Sequence, residues 1–161
     1  NLSNGDNSGM WMLNYQFPYK DDRVKGKFEE LCKILAGLVE AKKVSKEKIN
    51  EYLNARKDFQ NLLKSNDYRY FSFQIWQEGV ARYTEYQIAK TASKNYKPNA
   101  DFSALKDFSP YQNAADSIYN RIITELKTLK LDEFQRTAFY PFGAGEALLL
   151  DKVNPKWKSF L

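Results

Sequence analysis

The sequence predicts an all-α fold, a compact bundle of about four to six helices with an extended aromatic N-terminal segment. Three observations carry that prediction. Apolar residues recur at three- and four-residue steps along most of the 161-residue chain, a spacing that puts them on one face of a helix. Residues that start and stop helices separate the periodic stretches: Ser45, Ser65-Asn66-Asp67, Pro98 and Pro110. Aromatic residues make up 16% of the chain, apolar area that a disordered basic chain would lack.

Residues 1–9 are polar, with turn pairs at Asn4-Gly5 and Ser8-Gly9. They read as a mobile lead-in to a single helical domain over 10–161. In 10–19, Leu13, Tyr15, Phe17 and Tyr19 share one parity. That pattern fits a short strand, or an extended segment lying on helices, because Pro18 disfavours a central strand. Asp21 and Asp22 then open a helix reaching to about Lys43, with Val24, Phe28, Leu31, Cys32, Leu35, Leu38 and Val39 as its apolar stripe. Cys32 on that stripe is expected to be a buried small hydrophobe.

Ser45 is the expected N-cap of a second helix, to about Lys64, with Ile49, Tyr52, Leu53, Phe59, Leu62 and Leu63 inward and Arg56 beside them. The short break makes the two helices antiparallel neighbours. A third helix, from about Tyr70 to Ser93, carries apolar or aromatic residues on most sides, which predicts a central position. Polar groups inside such a helix need a partner. Residues 94–110 read as a loop anchored by Phe102, Leu105 and Phe108. A fourth helix follows over about Gln112–Leu129, with Ala115, Ile118, Ile122 and Leu126 inward. Residues 132–138 form a short helix or turn, 143–152 a short apolar helix, and 155–161 an aromatic tail.

Composition excludes several chemistries. The chain has no histidine. A Ser-His-Asp triad, a Cys-His pair and an imidazole-bound zinc cannot arise from this chain alone. A single cysteine excludes an internal disulfide and a cysteine cluster. The net charge is +5, with acids and bases interleaved, so no nucleic-acid partner is expected. No apolar stretch approaches the ~20 residues of a membrane span. The chain begins at Asn1 and carries no signal peptide, which reads as a processed product or a piece of something longer.

The chemistry-bearing residues concentrate in the third helix, in Trp76-Gln77-Glu78-Gly79-Val80-Ala81-Arg82-Tyr83-Thr84-Glu85-Tyr86. Glu78 and Glu85 lie two turns apart and about 20° off one face. Gly79 leaves the backbone bare for another element to approach. Arg82 stands four residues after Glu78, the favourable order for a helix ion pair. One reading is that pair with Glu85 in solvent. The other is a site, because a carboxylate on an apolar helix must be paired or metal-bound. Two acids on one helix bracket a sugar poorly. Gly143-Ala144-Gly145 lacks the Lys-Ser/Thr of a phosphate loop.

Glu78-Gly79-x-Ala81-x-Tyr83-x-Glu85-Tyr86, followed by Tyr140-x-x-Gly143, Leu149-Leu150-Asp151 and Pro155-x-Trp157-Lys158, resembles the C-terminal half of zincin-like proteins of the gluzincin metallopeptidase type. The resemblance runs from about Arg56 to Leu161. In that group an N-terminal half carries HExxH on a helix, and a later Glu-Gly-x-Ala-x-Tyr segment supplies the third zinc ligand. The resemblance implies that Glu78 is this metal ligand and that Gly79 allows close packing against the HExxH helix. It also implies that Glu85 and Arg82 support Glu78 from behind. Tyr140 would donate its hydroxyl to the oxyanion of a tetrahedral intermediate, or be a boundary tyrosine at a Pro141 turn. Asp151 reads as a helix-end contact and Trp157 as a core anchor.

This chain departs from the pattern in having neither histidine of HExxH. The implied cofactor is zinc in a complete protein, with none bound by this chain alone. The implied partner is an N-terminal half or another chain supplying HExxH, and the implied substrate is peptide-like. The implied location is secreted or in the cell envelope. The alternative is a non-catalytic helical module that binds a ligand or protein through its Tyr- and Trp-rich surface.

Overall fold

The structure, a computed structural model, describes Gly5, Ser8 and residues 10–160. Most of the expected lead-in therefore lies outside the described residues. The chain runs through α1 (Trp11–Asn14), α2 (Asp22–Glu40), α3 (Lys46–Leu62), α4 (Ser65–Asn95), α5 (Ala100–Ser103), α6 (Tyr111–Thr128), α7 (Leu131–Phe134) and α8 (Phe139–Val153). Two 3-10 turns, Gln135–Ala138 and Trp157–Phe160, precede and follow α8. The fold is all-α, with five long helices and no strand among the described residues. The aromatic N-terminal segment opens with the single turn of α1 and is extended only after it.

Local chemistry sets the helix starts. The Asp21 carboxylate accepts from Arg23 N at 2.9 Å and Val24 N at 3.0 Å, and so caps α2. Ser45 Oγ accepts from Lys48 N at 3.3 Å and caps α3. Every residue of the predicted α2 stripe is buried, Cys32 included. The helix ends at Glu40, three residues short of expectation, where the Lys152 ammonium takes the Val39 and Ala41 carbonyls. On α3 the stripe holds except at Leu53, which is exposed.

The third helix departs from expectation at its start and in its surroundings. Ser65-Asn66-Asp67 forms its first turn instead of a break. Asp67 suits that place through the helix dipole, and its carboxylate accepts from Tyr15 Oη at 2.7 Å. The helix is not apolar all round in its setting: Trp76 is 55% and Ile88 64% exposed. The central helix is α8, which packs against α4, α2 and α6. It starts at Phe139, four residues early, and takes Pro141 within its first turn. Proline is tolerated there because the first amides have no intrahelical acceptor. Tyr140 therefore sits in a helix and not at a turn. In the 94–110 region Phe102 and Leu105 are exposed, and only Phe108 is half-buried, so the first two are not anchors.

The core is aromatic. Phe28, Phe59, Phe71, Phe139 and Phe142 are fully buried, with ring centroids 5.1 Å apart for Phe28–Phe142 and 5.2 Å for Phe59–Phe71. Each such pair adds about 0.5–1.5 kcal/mol to simple area burial. Two glycines let α4 and α8 touch backbone to backbone. A Cβ on Gly79 would stand 2.4 Å from Gly143 Cα, and one on Gly143 would stand 2.4 Å from the Ile75 carbonyl oxygen. The neighbour that Gly79 admits is thus α8 of this same chain.

Candidate functional site

The polar side chains of α4 form a slowly winding stripe at four-residue steps: Tyr70, Gln74, Glu78 and Arg82. Gln74 is fully buried, and both its Oε1 and Nε2 lack a hydrogen-bond partner. Tyr70 is buried, Glu78 is half-buried, and Arg82 is largely covered. Tyr140, in the first turn of α8, and Arg136, in the 3-10 turn before it, close over this stripe.

Glu78 and Tyr140, far apart in sequence, meet here. The nearby Glu78 carboxylate is the main cause of the raised Tyr140 pKa. Burial pushes the same way, while the guanidiniums of Arg136 and Arg82 pull against it. Arg82 also lies over the Tyr140 ring, 5.7 Å from its centroid. The Glu78–Arg82 helix pair does not form. Arg82 turns instead to Glu85 at 3.4 Å and to Glu125 of α6 at 3.5 Å. Glu85 is bound to Arg121 as well, at 3.2 Å, and stands half in solvent. So Glu78, Arg82 and Tyr140 lie near one another, and Glu85 reaches them only through its ion pair with Arg82.

Arg136 also acts on Tyr19 and Tyr70, lowering the pKa of each against the burial that raises them. The hydroxyls of Tyr19 and Tyr70 are 3.0 Å apart. Gln135, which joins α7 to the 3-10 turn, has φ +48° and ψ −126°. A side chain in that region costs about 1–3 kcal/mol and persists only where the surroundings enforce it. The sequence does not mark Tyr19, Tyr70, Gln74 or Arg136 as site residues. The four-residue polar step along α4 was a signal for Gln74 and Tyr70. Arg136 and Gln135 carry no local signal, because only the turn into α8 brings them to the stripe.

Other polar groups are structural. Asp151 accepts from Tyr83 Oη at 2.6 Å, Gln87 Nε2 at 3.0 Å and Trp157 Nε1 at 2.9 Å, and so ties the C-terminal turn to α4. Arg56 binds Glu146 at 2.9 Å with its guanidinium 4.9 Å from the Phe71 ring centroid, and Tyr52 Oη donates to the same carboxylate at 2.6 Å. Burial pushes the Cys32 thiol well above its usual range, which leaves it a poor nucleophile.

The donor set does not suffice for zinc. Among the described residues no group of three or more Asp, Glu, Cys or His side chains is placed to hold a metal. Glu78 offers one carboxylate, with Arg136 and Arg82 acting on the tyrosine beside it. No helix among the described residues is long and apolar enough to cross a membrane. Comparison with known proteins brings no relative forward, since no family model, curated protein or solved structure matches the chain.

Proposed function

We propose that this chain is the helical C-terminal portion of a zincin-like metallohydrolase of the peptidase type, catalytically incomplete by itself. In this reading Glu78 is the carboxylate ligand and Tyr140 the hydroxyl that faces the substrate carbonyl. Two histidines come from an HExxH segment outside this sequence. The observation that carries the reading is the meeting of Glu78 and Tyr140. The resemblance names both residues, and Tyr140 of α8 closes over the half-buried polar stripe of α4 that carries Glu78. A ligand carboxylate must be reachable and must be held in one orientation by a neighbour. Glu78 is half-buried, lies close to Tyr140 and is free of the Arg82 pair that would have neutralised it.

The test uses the longest product encoded upstream of Asn1. That product should contain HExxH and bind one zinc. Glu78→Gln should weaken zinc binding at least about tenfold. Tyr140→Phe should retain zinc and lose peptidase turnover. An upstream sequence without HExxH, or Glu78→Gln with unchanged zinc affinity, refutes the reading. The 161-residue chain should hold zinc only weakly; a nanomolar site in it would contradict the missing-ligand account.

A second reading, a non-catalytic binding module, has one specific observation behind it. Trp76 is exposed and packs on Phe73, with ring centroids 6.0 Å apart, and Phe73 packs on Trp11 at 5.1 Å. An aromatic patch of this kind suits a protein partner. It predicts binding that survives Glu78→Gln and fails in Trp76→Ala.

A further inference from the structure

The N-terminal segment closes a second polar space against α4 and the 3-10 turn. Its volume is about 350 Å3, and its lining includes Phe17, Tyr19, Tyr70, Gln135 and Arg136. Among the described residues no carboxylate lines it, and Arg136 is the only cation in its wall. Arg136 is half-buried and makes no ion pair or hydrogen bond among the described residues. Its guanidinium nitrogens reach solvent and so are open to a ligand, and the planar fork matches an oxyanion.

The neighbouring groups complete a donor set. Tyr19 and Tyr70 share one hydrogen bond across 3.0 Å, which uses one of their two hydroxyl protons and leaves the other to donate. Burial raises the pKa of both phenols, so they remain neutral donors. Tyr15, also in the wall, is not available, since its hydroxyl is given to Asp67. Two acids lie close by but outside the lining: Asp67, which holds Tyr15, and Glu78, whose charge acts on Tyr70. The strained backbone at Gln135 sets the direction of the turn that carries Arg136. Strain of that size at a non-glycine residue is a mark of a functional segment. Leu13 and Phe17 add apolar wall to the same space.

We propose that this cavity binds a carboxylate carried on an apolar group, with Arg136 as the bidentate anchor, the Tyr19–Tyr70 hydroxyl pair as the further donor, and Leu13 and Phe17 against the apolar part. The free C-terminus of a peptide ending in an apolar residue has this chemistry. The inference does not depend on the metal reading, because it concerns binding to this chain without metal.

The probe is N-acetylphenylalanine, titrated against the 161-residue chain and followed by Trp11 fluorescence, since Trp11 lies 6.1 Å from the Tyr70 ring centroid. N-acetylphenylalanine amide and inorganic phosphate are the comparison ligands. The carboxylate should bind saturably, at least tenfold tighter than the amide and tighter than phosphate. Arg136→Gln should weaken it at least tenfold, Arg136→Lys by less, and Tyr19→Phe several-fold, each variant being first shown to be helical by circular dichroism. If Arg136→Gln does not fold, the Arg136→Lys and Tyr19→Phe variants decide. Equal binding of the amide, preference for phosphate, or unchanged affinity in the folded Arg136 and Tyr19 variants overturns the proposal.

Discussion

Gly79→Ala is expected to destabilise the protein although alanine is the better helix former. By propensity alone the change should gain about 0.5–1 kcal/mol in a helix interior. The added Cβ, however, would stand 2.4 Å from Gly143 Cα, 2.7 Å from Gly143 C and 3.1 Å from Ala144 N. All three are backbone atoms of α8, so no side chain can swing aside. Restoring ordinary contact requires α4 and α8 to part by about 1 Å. A gap of about 0.5–1 Å already forfeits a quarter to a half of the dispersion well at each contact. That loss extends along the interface that carries Phe71, Tyr83, Phe139 and Phe142. Overpacking of a tight contact costs about 1–3 kcal/mol, occasionally more, and the backbone nature of the clash places this one at the upper end. After the propensity gain, a net loss of about 2 kcal/mol remains, or a fall in Tm of about 4–8 °C for a chain of this size.

The assay is thermal and urea unfolding by circular dichroism, run beside three further glycine variants. Gly26 and Gly37 on α2 have nothing within 4 Å of an added Cβ, so alanine there should raise stability by about 0.5–1 kcal/mol. At Gly145 the Cβ would meet Leu126 Cδ1 at 2.9 Å and Leu35 Cδ2 at 3.0 Å. Those are ends of flexible side chains, so the effect should be small. If Gly79→Ala melts at or above the wild-type temperature, the direct contact of the two backbones is wrong.

Three further outcomes are expected. Burial would raise the Asp151 pKa, but hydrogen bonds from Tyr83, Trp157 and Lys158 outweigh it and hold the pKa below the usual value. The unfolded state then binds the proton more readily. Asp151 therefore contributes stability above its unfolded pKa of about 3.9, and that contribution is lost as pH falls through the folded value. Urea midpoints at pH 5 and pH 3 should differ less in Asp151→Asn than in the wild type, and an identical difference would refute the assignment. Cys32 should react with a thiol reagent only as fast as the protein opens, so added urea should accelerate labelling; rapid labelling of the native chain would contradict its burial. Glu146→Ala leaves Arg56 covered without its counter-ion, with Nη1 already lacking a partner, and should cost about 2–4 kcal/mol in urea unfolding. The double variant Glu146→Leu/Arg56→Met should recover most of that loss, and failure to recover would show that the ion pair is not the cause.

The helices were legible where their signal is local. The α2 stripe from Val24 to Val39 reads directly from periodicity, and Asp21 and Ser45 read as caps because an N-cap needs only its own carboxylate or hydroxyl and two nearby amides. The α4 start did not read correctly, since Ser65-Asn66-Asp67 serves a turn and a helix start alike. The α8 start was hidden by Pro141, which ends a helix in its interior and is harmless in its first turn. Glu78, Arg82 and Tyr140 stand out in the sequence by residue type and resemblance, and the structure brings them near one another. The choice of Glu85 and Glu125 over Glu78 as partners of Arg82 is not legible, because three acids lie within its reach and the approach of α6 decides the outcome.

What this sequence determined by itself is the helical class, the identity of most inward faces, and the exclusion of any imidazole chemistry from these residues. Each follows from a property of single residues or of near neighbours. Only the tertiary structure decided that α8 and not α4 is the central helix, that Gly79 receives Gly143, and that Arg136 stands among Tyr19, Tyr70 and Tyr140. Those outcomes depend on which helix faces meet and how closely. Hydrophobic burial is non-directional, so a periodic stripe states that a face is covered without naming what covers it.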